Sequence, residues 1–140
     1  MLDALQCCFL DWFTPRYAAL TRTRKQRLFA GLRGELLEIG AGTGANFEFL
    51  PPAVRWTGVD PNSKALPYIR AAAVRSGHAF RFHAARAEAL PFSDGCFDAV
   101  ACTLALCSVS DPQRALDEIR RVLRPGGELL FLEHVAAPEG

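Results

Sequence analysis

Glu38 stands two places before the first of three alternating glycines, Gly40, Gly42 and Gly44. The apolar run Leu36-Leu37-Glu38-Ile39 leads into them and Asn46-Phe47-Glu48-Phe49-Leu50 follows. The order predicts a strand, a glycine turn and the start of a helix, the arrangement of a nucleotide-binding loop. Glycine permits positive φ and has no Cβ to hold a ligand off the backbone. The N–H groups at the start of the helix would then face a polar ligand group. The spacing excludes the dinucleotide fingerprint, whose third glycine comes three places after the second, whereas Gly44 comes two after Gly42. The structural alternative is a glycine-rich strand–helix turn without a ligand.

A second acidic residue is placed to help. Arg55-Trp56-Thr57-Gly58-Val59-Asp60 reads as the next strand, with Asp60 at its carboxyl end. Ligands of open α/β sheets bind at that end, and an aspartate there accepts both hydroxyls of a ribose. An isolated aspartate would more often cap a turn. Pro61-Asn62-Ser63 continues into a helix with Leu66, Ile69, Ala73 and Val74 on its buried face and Gly77 as its carboxyl-terminal cap. Ala79–His83 alternates as a third strand. His83 is read as a strand-end surface or capping residue and not as a base.

Ala87-Glu88-Ala89-Leu90-Pro91-Phe92 and the turn Asp94-Gly95 precede a fourth strand, Phe97–Thr103, apolar enough to be buried on both faces. It opens into Leu104-Ala105-Leu106-Cys107. Cys107 is read as a small hydrophobe, not a nucleophile. Asp111 and Pro112 start a further helix as N-cap and first residue. Its buried face is Ala115, Leu116, Ile119, Val122 and Leu123, and Arg120, Arg121 and Arg124 complement its carboxyl-terminal dipole. Pro125-Gly126-Gly127 turns into a fifth strand, Glu128–Glu133.

The pattern Glu38-x-Gly40-x-Gly42-x-Gly44 resembles motif I of the class I S-adenosylmethionine (SAM) methyltransferases. SAM has no pyrophosphate, so a close-fitting loop suits it better than an anion cradle. L-L-E-I-G-A-G-T-G-A-N-F, V-D-P-N, C-T-L-A-L-C-S-V, R-R-V-L-R-P-G-G and L-E-H-V-A together span residues 35 to 135 and resemble the methyltransferase-like seven family, the alkyl thiol methyltransferases. The resemblance implies an α/β, Rossmann-like class I methyltransferase sheet, here truncated after the fifth parallel strand. It implies SAM as cofactor, a small-molecule acceptor, most simply an alkyl thiol, and no metal. Cofactor-binding residues would be Glu38, Gly40, Ala41, Gly42, Gly44, Asp60, Pro61, Asn62, Ala87, Glu88, Thr103 and Leu104. Arg86 departs from the family pattern, standing where an aspartate contacts the adenine amino group, which leaves Ala87 and Glu88 to face the adenine edge. Glu133 and His134 end the fifth strand beside the cofactor, and His134 is the candidate for assisting thiol deprotonation. Methyltransferases of quinone biosynthesis share A-E-x-L-P-F and L-R-P-G-G and are an alternative, as is a truncated, non-catalytic SAM-binding or partner-binding protein. An NAD-dependent oxidoreductase is disfavoured by the glycine spacing.

Composition bounds these readings. At 140 residues the chain holds one domain. We divide it into a helical, amphipathic segment, 1–34, and a SAM-binding domain, 35–140. The formal net charge of +1 gives no reason to invoke nucleic acid. Cys7, Cys8, Cys96, Cys102 and Cys107 form no C-x-x-C pair, and their odd count suits reduced thiols. No run approaches the roughly 18 apolar residues of a transmembrane helix. Leu2, Leu5, Phe9 and Trp12 recur at helical spacing before Arg22, Arg24, Lys25 and Arg27. Such a face beside a basic cluster would lie on a membrane surface through residues 1–30, or pack against the domain. Relatives in the family carry a hydrophobic anchor, so the resemblance implies the cytoplasm or the cytoplasmic face of the endoplasmic reticulum or lipid droplets.

Overall fold

The computed structural model describes residue 19 and residues 21–133. The apolar repeat Leu2–Trp12, Cys7, Cys8 and His134 lie outside the described residues. A helix, α1 (residues 21–29), precedes β1 (Gly34–Ile39). Then follow β2 (Val54–Asp60), α2 (Leu66–Ser76), β3 (Phe80–Ala84), β4 (Phe97–Thr103), α3 (Pro112–Val122) and β5 (Leu123–Leu132). All neighbouring strands are parallel, in the order β3-β2-β1-β4-β5. This is the Rossmann-like α/β sheet expected, and its chain reversal falls between β1 and β4.

Strand alternation sorts the core onto two faces. Leu36, Trp56, Ala99 and Ala101 pack with Phe29 of α1 and Ile69, Ala72 and Ala73 of α2. Leu37, Ile39, Val59, Val100 and Cys102 pack with Ala115, Ile119 and Val122 of α3. Strands covered on both sides read as apolar runs, which is why β1 and β4 were legible. Phe29 is fully buried, so α1 is packed on the sheet.

Four expectations change. The helix after the glycines is a single 3-10 turn, Phe47–Phe49. Pro51 and Pro52 follow too closely for an α-helix, and both Phe47 and Phe49 are buried. Val74 is 75% exposed, because α2 buries Ile69, Ala72 and Ala73, and the next residue around turns to solvent. Leu116 is also more exposed than expected, at 39%. Finally, β5 begins at Leu123, not Glu128: Leu123 pairs with Phe97 and Glu128 with Ala99, five steps against two. The surplus bulges out through Pro125-Gly126-Gly127, where a Cβ on Gly127 would lie 2.9 Å from the Arg124 carbonyl and 3.0 Å from that of Asp98.

The three arginines expected at the end of α3 are not equivalent, and Arg124 falls in β5. Arg121 donates to the carbonyls of Phe92 (2.7 Å) and Leu90 (3.2 Å), and to Asp94 (2.9 Å) and Glu118 (2.7 Å). It clamps the segment after β3 onto α3. Arg124 pairs with Asp98 at 2.8 Å, whose other oxygen accepts the Glu35 N–H. Arg120 is exposed. Arg121→Ala strips two carbonyls of their donor and should cost about 1–3 kcal/mol, whereas Arg120→Ala should stay within about 0.5 kcal/mol. Urea unfolding of both variants checks this, and equal losses would reduce Arg121 to a helix-dipole partner.

Candidate functional site

The glycine turn is held from behind and from the side. Behind it, Glu38 is 2% exposed. Its Oε1 accepts from Asn46 Nδ2 at 2.7 Å and its Oε2 from the Trp56 indole at 2.8 Å. Gly58 faces Glu38 directly across β1 and β2. The Trp56 ring lies where a side chain on Gly58 would stand, so the glycine lets the indole cross its own strand to reach the carboxylate. Burial raises the Glu38 pKa to about 7, against the opposing pull of the Trp56 and Asn46 hydrogen bonds and of Lys25. Lys25 comes from α1 and is itself 2% exposed; burial lowers its pKa, while Glu38 and Glu48 oppose that shift. Its amine also sits 5.6 Å over the Phe49 ring.

From the side, Asp60 ties the turn to β2. Its Oδ2 accepts the Gly42 N–H at 3.0 Å and its Oδ1 the Asn62 N–H at 2.9 Å. Gly40 and Ala41 both donate to the Val59 carbonyl, at 2.9 and 3.0 Å, and Gly44 donates to Ala41 at 3.0 Å. The N–H groups of Gly40, Ala41, Gly42 and Gly44 are thus spent on β2 and on the turn itself, and the Phe47 N–H goes to Gly44. All three glycines have positive φ, between 53° and 75°. Only at Gly40 would a Cβ strike the opposite wall, 2.6 Å from the Ala105 Cβ.

Beside Gly40, at the carboxyl ends of the strands, lies a cavity of about 580 Å³. Gly40, Pro61, Asn62, Ala87 and Glu88 line it, as do Arg86, Ser108 and Ser110. Glu38, Ala41, Gly42, Gly44, Asp60, Thr103 and Leu104 are not in its lining: Ala41, Gly42 and Gly44 belong to the turn itself, Glu38 lies behind it, Asp60 and Thr103 end β2 and β4, and Leu104 follows β4. Glu88 Oε1 accepts from the N–H groups of Ser110 (2.9 Å) and Asp111 (3.3 Å). Burial raises the pKa of this carboxyl, but hydrogen bonds from its own N–H, Asp111 and Ser110 outweigh that and leave it lowered. Arg86 bonds Ser110 Oγ at 2.9 Å. Together they stitch the segment after β3 to the start of α3 and close one wall of the cleft.

The other wall is strained. Leu104 has φ 56°, the one such non-glycine among the described residues. Beyond it Glu133 Oε1 accepts the N–H groups of Ala105 (3.0 Å) and Leu106 (3.1 Å). Sequence reasoning placed Glu133 near the cofactor, but not as a clamp on this bend. Asn46, Trp56, Lys25 and the serines of the cleft went unread as site residues. Asn46 carried a signal, lying two residues beyond the last glycine on a buried turn. Cys107 is exposed and Cys102 buried, with burial pushing the Cys102 pKa up to about 12. Among the described residues no group of His, Cys, Asp and Glu is placed to hold a metal. No helix among them is long and apolar enough to cross a membrane.

A parallel sheet in this order, a glycine turn after its first strand and an acidic residue ending its second define a class I methyltransferase fold. A family profile described as "Methyltransferase domain" matches residues 37–131, and the chain belongs to that family. It is 43% identical over 138 residues to the human protein "Thiol S-methyltransferase TMT1B", and 42% over 140 residues to human "Thiol S-methyltransferase TMT1A". The alignments cover 91% and 92% of this chain but 57% of either relative. Among solved structures, that of the YcgJ protein from Bacillus subtilis superposes with a TM-score of 0.69 at 34% identity, covering 74% of this chain and 45% of that one.

Glu38 yields a pH signature. Its folded pKa is raised to about 7 from an ordinary 4.5, so between those values the folded chain binds more protons than the unfolded chain. Stability should fall as pH rises through that window and level off above it. Glu38→Gln should remove this part of the slope, while lowering stability throughout because its amide nitrogen must face a donor. Urea unfolding from pH 4.5 to 8 reads both effects. A slope unchanged in the variant would assign the titration elsewhere.

Proposed function

We propose that the cleft binds SAM and that the protein transfers its methyl group to a small thiol. The observation that carries this reading is Asp60: it closes β2 beside the cavity, 8% exposed, with each carboxylate oxygen accepting one backbone N–H. Each oxygen keeps a further lone pair, so the aspartate is oriented by the loop and still able to accept ribose hydroxyls. Gly40 supports the same ligand, since its missing side chain leaves the cavity open against Ala105. The thiol acceptor rests on the named activity of the two human relatives.

In this reading Asp60 holds the ribose, while Pro61, Asn62, Ala87 and Glu88 bracket the adenine. Gly40, Ala41, Gly42 and Gly44 let the backbone approach, with Glu38 fixing their turn from behind. Thr103 and Leu104 border the methionine end. SAM, when bound, supplies a methyl group made electrophilic by the sulfonium. The chain's task is then alignment of acceptor and methyl, which is proximity catalysis. A thiol of pKa about 8.5 is a few per cent ionised at neutral pH, so a strong base is not required. His134, which follows Glu133 in sequence, is the proposed group for assisting deprotonation. The wall of Leu104–Leu106, braced by Glu133, helps exclude water from the reacting atoms.

Calorimetry with S-adenosylhomocysteine should show saturable binding. Asp60→Ala loses charge-assisted hydrogen bonds to ligand and loop, and should weaken binding at least about tenfold. Transfer of labelled methyl from SAM to a small alkyl thiol tests the reaction. Absence of binding at millimolar ligand would sink the cofactor reading, and binding without transfer to any thiol would sink the acceptor.

A further inference from the structure

Helix α1 buries a stripe that is partly polar. Thr21, Lys25 and Phe29 recur at four-residue steps, and all three are buried, Lys25 at 2% exposure. Phe29 joins the core with Leu36, Phe47, Phe49 and Trp56. Lys25 enters the same region as a cation. Its Nζ stands 5.6 Å over the Phe49 ring, and its charge acts on Glu38 and Glu48. Arg22, one turn earlier, stands 5.7 Å over that ring as well and donates to Glu48 Oε2 at 3.1 Å. An apolar side chain would fill the Lys25 position without giving up hydration, and such replacements of buried charges are often neutral or stabilising. Stability alone therefore does not account for a lysine there.

What α1 covers gives the lysine another use. The Phe47–Phe49 turn continues from the glycine turn, and Asn46 at its start donates to Glu38 at 2.7 Å. Trp56 donates to the other carboxylate oxygen at 2.8 Å. Both partners are donors, so an ionised Glu38 holds the two of them, while a protonated one must turn its own proton toward one of them. Burial favours the protonated form, and the Lys25 charge opposes it. The other ionisable groups nearby are accounted for. Glu48 is paired with Arg22, and Cys102 on β4, which also feels Glu133, is pushed by burial up to about 12. His78 packs on Phe47, with ring centroids 5.9 Å apart, and its Nε2 lies 3.2 Å from the Pro51 carbonyl.

We propose that α1 is a strap on the glycine turn and Lys25 its positioning residue: acting through Glu38 and the Phe47–Phe49 turn, it couples the docking of α1 to occupancy of the cleft. The inference rests on the SAM reading of that cleft. Gly40, which lines the cleft, follows Glu38 by two residues, and Gly42 is bonded to Asp60 at 3.0 Å. A ligand seated against this wall fixes the turn, and a fixed turn holds Glu38, Asn46 and Phe49 where α1 meets them. Such coupling is reciprocal, so whatever tightens α1 on the turn tightens the ligand by the same factor. The helix thereby acts on ligand affinity from outside the cleft lining.

The test uses the full chain with S-adenosylhomocysteine as the probe. In the wild type, saturating probe should slow amide hydrogen exchange in α1 at least about fivefold. Unchanged α1 exchange at saturation would overturn the proposal without any variant. Lys25→Met and Lys25→Gln, both checked for cooperative urea unfolding, should weaken the probe at least about fivefold at neutral pH and abolish the slowing. Calorimetry between about pH 6 and 9 separates positioning from packing. Wild-type affinity should rise as Glu38 ionises, with a midpoint at about 7. Both neutral variants lack the opposing cation, so their midpoint should move up. Lys25→Arg keeps the charge and should keep the wild-type midpoint, as should His78→Gln. Wild-type affinity and midpoint in either folded neutral variant would overturn the proposal. If the probe fails to bind the wild-type chain, the cofactor reading falls first and this inference with it.

Discussion

A buried carboxylate organises the carboxyl end of this sheet. Glu38 is surrounded by donors from three places: the Trp56 indole on β2, the Asn46 amide on the turn, and the charge of Lys25 on α1. An ionised carboxylate out of water is costly unless it is bonded and countered. That cost forces the neighbours into place. Trp56 must cross Gly58, Asn46 must turn its Nδ2 inward, and Lys25 must give up its water. The glycine turn inherits its shape from these demands, because Asn46 stands at its far end and Glu38 at its near end.

The glycine turn is also tied down from within the sheet. Its amides are directed at Val59, at Asp60 and at the loop itself. Of the turn and its neighbours, Gly40, Pro61 and Asn62 line the cleft, and Asp60 stands behind that lining. The two cleft walls are braced separately, one by Glu88 and Arg121 acting through α3, the other by Glu133 acting on the strained bend at Leu104. Rigid walls suit a reaction in which alignment supplies most of the rate.

Class and acceptor stand on different ground. The fold and the family match place the chain among methyltransferase domains. The acceptor depends on whatever closes the pocket over the reacting methyl, and the chain spans 57% of the length of its human relatives. One fold hosts many chemistries, and the residues that choose between them line the outer part of such a pocket. Ser108 and Ser110 line the cleft just before α3.

The local pattern of residues determined the strands, the glycine turn, the acidic end of β2 and the caps of α2 and α3. These depend on alternation, positive φ and short-range hydrogen bonds, all of which act between near neighbours in sequence. Even the positions lining the cleft at Pro61, Asn62, Ala87 and Glu88 were legible, because strand ends in a parallel sheet converge. The partners were not. Val74 and Leu116 were misassigned because helix rotation is set by what packs against it, and β5 starts early because its bulge answers to β4. Glu38 read as a ligand residue, but its depth, its bond to Trp56 across Gly58 and its coupling to Lys25 arise only when β1, β2 and α1 meet. Asn46 and Glu133 likewise act on residues 57 and 28 positions away. Sequence spacing carries the period of an element. Desolvation and long-range pairing exist only once the elements have packed, and they decided which carboxylates hold the scaffold.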